Sequence, residues 1–194
     1  NPLFIPPSLN RLPATRAGLL GLFCAGVLLQ SASAVTYYWD TNNSTAGFGT
    51  AGGTWVAPTV SQWSTDATGV STPGASITTT TSDALNFGTA SAGLATGTIT
   101  VSGNVSSAGI TFGTASGNIT LSGGNISLAG SIASANTTQT HTITSNITLA
   151  AAGISFGGGS RLTFNGVISG ANDLATDPGN GNGPIWDSNV FKSR

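Results

Sequence analysis

The sequence predicts an all-β chain wound into a β-solenoid, and three observations lead there. Four tetrapeptides share one pattern: Asn104-Val-Ser-Ser, Asn118-Ile-Thr-Leu, Asn125-Ile-Ser-Leu and Asn146-Ile-Thr-Leu. Every interval between their asparagines is a multiple of seven. A longer phrase, Ala108-Gly-Ile-Thr-Phe-Gly113, returns as Ala152-Gly-Ile-Ser-Phe-Gly157. Apolar and hydroxyl residues alternate with period two, as in Thr98-Ile-Thr-Val-Ser102 and Asn118-Ile-Thr-Leu-Ser122, which is the signature of strands with one buried face. A repeat this short cannot bury its own apolar side, so it must stack on copies of itself.

Residues 1–34 read as a secretory signal peptide. Arg11 and Arg16 form a basic start, Ala17 to Leu29 is an apolar run, and Ala32-Ser33-Ala34 is a small-residue cleavage site. Cleavage is expected after Ala34. The apolar run falls short of the roughly 20 residues that a membrane span needs. Cys24, the single cysteine, leaves with this segment, so the mature chain has no disulfide and no thiolate ligand.

Residues 35–83 read as an N-terminal cap. They hold Trp39, Trp55 and Trp63 and both tyrosines, Tyr37 and Tyr38, between turn signals such as Gly52-Gly53 and Pro73-Gly74. Bulky aromatics over the open end of a coil stack would shield its unpaired backbone and its apolar interior.

Residues 84–170 read as the repeat body. Strands of four or five residues with a Gly-containing corner make units of about seven, and three such units close one coil. The stretch from Ile110 to Ile154 is close to two of these coils. Asn86-Phe-Gly-Thr-Ala-Ser91 returns as Thr111-Phe-Gly-Thr-Ala-Ser116, one coil on with a longer corner. About four coils at roughly 4.8 Å each follow. Asparagines at equivalent corners would form a side-chain amide ladder, or else serve only as turn residues that tolerate left-handed backbone. Residues 171–194, with the turn-rich Asp177-Pro-Gly-Asn-Gly-Asn-Gly-Pro184, read as an irregular tail.

Composition narrows the function. Charged residues make up 6% of the chain and glutamate is absent, whereas an ordinary domain carries roughly 25%. A hydrophobic fraction of 39% with apolar residues in phase separates this chain from disordered linker. After Ala34 six aspartates face Arg161, Lys192 and Arg194, a net charge of −3. Phosphate neutralisation needs several Lys or Arg, so nucleic acid is excluded as a partner, and an anionic membrane surface with it.

Taken in order, several phrases resemble the autotransporter-associated β-strand repeat proteins, which are parts of large exported bacterial proteins. They are Thr36-Tyr-Tyr-Trp-Asp40, Ala51-Gly-Gly-Thr-Trp55, Gln62-Trp-Ser64, Asp83-Ala-Leu-Asn-Phe-Gly88, Ile99-Thr-Val-Ser-Gly103, Ala108-Gly-Ile-Thr-Phe-Gly113 and Ile119-Thr-Leu-Ser-Gly-Gly124. The resemblance covers about residues 11–172. It implies a right-handed parallel β-solenoid (β-helix), export, and a passenger or surface role without established catalytic residues. After Ile168-Ser-Gly-Ala-Asn-Asp-Leu174 the chain departs from that pattern, where further repeats would continue.

The residues offer little catalytic chemistry. Parallel β-helices also host glycan-cleaving enzymes, but those need clustered carboxylates. None of Asp40, Asp66, Asp83, Asp173, Asp177 and Asp187 lies between 84 and 170. His141 shares strand parity with Ile143 and reads as a structural, inward residue. Asp177, Asn180 and Asn182 hint at calcium, but their offsets do not match an EF-hand. Thr78 to Thr81, Thr98-Ile-Thr100 and Thr142-Ile-Thr144 resemble the threonine arrays of ice-binding solenoids, but β-branched residues are ordinary in strands and the threonines are not expected to be regular from coil to coil, which argues against that role.

The expectation is therefore a non-enzymatic exported structural protein, secreted or at the cell surface, the N-terminal part of a larger adhesin-like passenger. It needs no cofactor or metal, and a cell-surface or extracellular glycan or protein is its partner class. The alternative is a carbohydrate-binding module that stacks sugars on Trp39, Trp55 and Trp63.

Overall fold

A computed structural model of the chain describes residues 33–59, 61–159, 161–176 and 185–186. Residues 1–32 of the expected leader with Cys24, the loop with Asp177, Asn180 and Asn182, and Asp187 lie outside the described residues. The described residues form strands and connections without helix. They belong to one compact unit.

The strands fall into successive windings. The first holds β1 (Thr36–Trp39), β2 (Thr54–Trp55) and β3 (Trp63–Ser64). Four three-strand coils follow. They are β4 (Ala84–Phe87), β5 (Gly97–Val101) and β6 (Asn104–Ser107); β7 (Gly109–Phe112), β8 (Ile119–Ser122) and β9 (Asn125–Leu128). Next come β10 (Ile132–Ser134), β11 (Thr140–Ile143) and β12 (Asn146–Leu149), then β13 (Ile154–Gly158), β14 (Arg161–Phe164) and β15 (Ile168–Ser169). β16 (Leu174–Thr176) and β17 (Ile185–Trp186) begin another winding.

Every third strand pairs in parallel, so the coils build three sheets. Their orders are β16-β13-β10-β7-β4-β1-β3, β17-β14-β11-β8-β5-β2 and β15-β12-β9-β6. This is a parallel β-solenoid of about four turns. Register holds the coil length constant on the third sheet, where Asn104 pairs with Asn125 and Asn125 with Asn146.

One column of apolar side chains runs up the inside of each sheet. Leu85, Ile110, Ile132 and Phe156 form the first; Ile99, Leu121, Ile143 and Phe164 the second; Val105, Ile126, Ile147 and Ile168 the third. All are buried. Full burial of each such side chain contributes about 1.5–3 kcal/mol, and stacking repeats that gain at every level.

Three local readings are corrected. The repeated Ala-Gly-Ile-Thr/Ser-Phe-Gly phrase does not repeat in space. Phe112 pairs with Ser134 and Ser134 with Gly158, while Phe156 pairs with Ile132. The winding from Ile132 to Phe156 is longer by two than the one from Ile110 to Ile132. The phrase therefore shifts by two, which keeps its inward parity. The asparagines do not work as left-handed turns, since Asn43 is the asparagine with positive φ among the described residues. Nor do they bond one another as a ladder. Three of them bond other groups on the adjacent coil. Asn118 Oδ1 accepts from the Thr140 N–H at 2.9 Å, Asn146 Oδ1 from the Val167 N–H at 3.0 Å, and Asn125 Oδ1 from the Thr148 hydroxyl at 3.1 Å. The tail after 171 is not wholly irregular, because β16 and β17 add to β13 and β14.

The cap region contributes to the stack directly. β1 and β2 pair in parallel with β4 and β5, across roughly twice the chain that one coil uses. The extra length is an excursion that ends the first sheet, where β3 pairs antiparallel to β1. A two-residue strand leaves little edge for another chain to extend.

Candidate functional site

The aromatic cluster at the capped end is the strongest candidate that the sequence offers for a binding site. Trp39 and Trp63 stand on the paired strands β1 and β3, and Trp55 stands on β2. Trp63 meets Trp39 edge to face, with centroids 4.8 Å apart, and Trp55 likewise at 5.6 Å. Phe87 lies 5.9 Å from Trp63. Trp39 Nε1 donates to the Gly52 carbonyl at 3.0 Å, and Trp55 Nε1 to the Thr79 hydroxyl at 3.2 Å. The three indoles are 0%, 0% and 1% exposed. Stacking on a pyranose requires an open ring face, and Trp39, Trp55 and Trp63 present none. The glycan-platform reading is corrected to a core role: these rings plug the end of the coil stack.

Among the described aspartates, Asp40, Asp66 and Asp83 accept hydrogen bonds from backbone groups. Asp83 ties the start of β4 to its surroundings, accepting from the Val35 N–H at 3.0 Å and from the Thr80 N–H at 2.7 Å and hydroxyl at 2.8 Å. Asp40 is fully buried, and its Oδ1 accepts from the Asn42 N–H at 2.9 Å. Burial pushes its carboxyl pKa up, with the charge of Asp66 adding to that rise. Asp66 folds back on its own loop, accepting from the Thr68 N–H and hydroxyl and from the Val70 N–H. The Thr68 hydroxyl bond leads in holding it well below the usual carboxylate range. Among the described residues, no three of His, Cys, Asp or Glu gather as a metal site.

His141 is fully buried in the column Gly97, Ile119, His141, Leu162. Its ring stacks on Phe112 at 4.2 Å and 8°. Nδ1 accepts from the Ile119 N–H at 3.3 Å. Desolvation lowers its pKa to about 4, so it is neutral at pH 7. No nucleophile or carboxylate is bonded to it among the described residues.

Two open features are not visible in the sequence. A polar cleft of about 250 Å³ is lined by Thr137, Thr138, Gln139, Thr140 and Arg161. A wider groove of about 500 Å³ runs between Ala46, Gly47 and Thr68 and the corner Ser91-Ala-Gly93. Both depend on corner loops from different windings that register alone brings together. What the described residues offer is thus a set of outward sheet faces. No helix among the described residues is long and apolar enough to cross a membrane. No family model, curated protein or solved structure matches the chain.

Proposed function

We infer that the protein is a non-enzymatic exported scaffold, the N-terminal part of a larger adhesin-like passenger of the autotransporter-associated repeat type. One observation carries this reading: coils of nearly constant length pair strand on strand in three parallel sheets around continuous apolar columns. Such a stack lengthens by adding coils, each covering the one before, without altering the chemistry of its surface. The winding is right-handed, the hand of parallel crossovers generally. The basic and apolar leader with Ala32-Ser33-Ala34 supports secretion, with the mature chain starting at Val35. The neutral, hydroxyl-rich exterior suits a rigid spacer that displays whatever follows it to a cell-surface or extracellular glycan or protein.

The test is expression of the full chain in a Gram-negative host, followed by fractionation and N-terminal sequencing. Export with a new N-terminus at Val35 is the expected result. Retention of unprocessed chain in the cytoplasm overturns the reading. Mature protein that resists limited proteolysis over 35–170 is expected as well.

A further inference from the structure

Threonines of the second sheet recur once per coil. On the second sheet, Thr98 pairs with Thr120, Thr120 with Thr142 and Thr142 with Thr163, one threonine per coil over four coils. A parallel row lies two residues on: Thr54 pairs with Thr100 and Thr100 with Ser122, and Thr144 follows Ile143 at the next level. The intervals along the chain are nearly even as well, 22, 22 and 21 residues from Thr98 to Thr163, so the spacing argument against this array is overturned. The residues between the two rows point inward and are buried, which turns both rows outward.

We propose that this face adsorbs to ice. Strand pairing sets the separation within each row at roughly 4.8 Å, and alternate residues along a strand are roughly 6.7 Å apart. That rectangular net lies close to the oxygen repeats on a face of hexagonal ice. Threonine suits it because its β-branch restricts χ1, holding hydroxyl and methyl in fixed places. No protein hydrogen bond among the described residues engages the hydroxyls of Thr98, Thr120, Thr142 and Thr163. They remain available to order water. Thr98 is exposed, and Thr120, Thr142 and Thr163 stand half-buried between neighbouring coils, which limits their motion. In the second row the Thr144 hydroxyl is held by the Leu121 carbonyl at 3.2 Å, so the first row carries most of the effect. The two rows carry no charge; Arg161 stands at the border, level with Thr140. Adsorption to a crystal sums many weak contacts, and it fails unless all are in phase, which the coil stack ensures by its register.

The other faces lack this pattern. On the third sheet the equivalent row is Ser106, Ser127, Thr148 and Ser169, where the Thr148 hydroxyl is bonded to Asn125. On the first it is Asn86, Thr111, Ala133 and Gly157. The ice face stands whether or not the coils belong to a larger passenger.

The experiment is ice-recrystallisation inhibition and thermal hysteresis with the full chain, with circular dichroism to check the fold. The wild type is expected to inhibit recrystallisation. Thr142→Tyr and Thr120→Tyr, each placing bulk in the middle of the net, are expected to lose most of that inhibition. Ser127→Tyr on the third sheet is expected to keep it. A folded wild type without inhibition overturns the proposal. So does a folded Ser127→Tyr that loses as much as the threonine variants.

Discussion

His141 occupies a position that its neighbours in the column give to Ile119 and Leu162. Because Nδ1 accepts the Ile119 N–H, the ring proton sits on Nε2, which is buried without a protein partner among the described residues. Protonation of Nδ1 would break that bond and place a charge among Phe112, Ile119 and Leu162. The folded pKa of about 4 lies below the ordinary 6.5 because of burial. Between those values the unfolded chain holds a proton that the folded chain refuses. Stability is therefore full above pH 6.5, falls as pH drops through the window, and levels off below about 4, a total on the order of 3 kcal/mol. Asp40 works in the opposite sense: its pKa, raised above the ordinary carboxylate value by burial, favours the folded state in acid, and that contribution fades as pH rises through its folded value. Urea unfolding of His141→Leu across pH 4–7 should give a flatter profile than the wild type. At pH 7 the variant loses about 1 kcal/mol through the orphaned Ile119 N–H. An unchanged slope between pH 6.5 and 4 would place the acid sensitivity elsewhere.

The corners decide whether strands can stack, and they do so in two different ways. Gly103 has φ of 67° with open space where a Cβ would go, so Gly103→Ala meets only backbone strain, about 1 kcal/mol. Gly130 has no positive φ, but a Cβ there would run into the Ala108 carbonyl of the coil below. Gly130→Ala must push two coils apart, and its loss in denaturant midpoint should exceed that of Gly103→Ala. Equal losses would mean that the corner yields easily. This distinction explains what the sequence could reveal. The coil length is legible in the spacing of Asn104, Asn125 and Asn146, because those corners hold constant length. The pairing of Phe156 with Ile132 is not, because two extra residues in a corner shift the register without changing the in-out alternation. The threonine row is hidden for another reason: Thr98, Thr120, Thr142 and Thr163 recur at nearly even intervals, but Thr100, Thr111, Thr114, Thr137, Thr138, Thr140, Thr144 and Thr148 lie among them, and only the pairing picks out the column. The aromatic plug is readable as density of tryptophan near one end. The antiparallel return of β3 onto β1 is not, since two residues carry no periodicity.

A molecule built of stacked coils is coupled mainly between neighbours, so the place of a lesion in the stack matters as much as its size. Trp63→Ala and Ile126→Ala make a matched pair. Both remove a buried side chain, with expected losses of about 3–5 and about 2–5 kcal/mol. Trp63 touches Trp39, Trp55 and Phe87 at the closed end, and its loss loosens β3 and the loops around it while leaving the interfaces between the four full coils intact. Ile126 sits in mid-stack between Val105 and Ile147, and its loss weakens the contact that joins the lower coils to the upper. Neither half then has the three or so repeats that a stack needs to stand alone, so both should unfold together. In urea, Ile126→Ala should give one transition, coincident by tryptophan fluorescence and far-ultraviolet circular dichroism, at a lower midpoint than the wild type. Trp63→Ala should separate the probes: fluorescence changes early as the plug opens, and the β signal persists to higher urea. If its β signal instead collapses together with the fluorescence, the plug is a cornerstone on which every coil depends, and the nearest-neighbour picture of this solenoid is wrong.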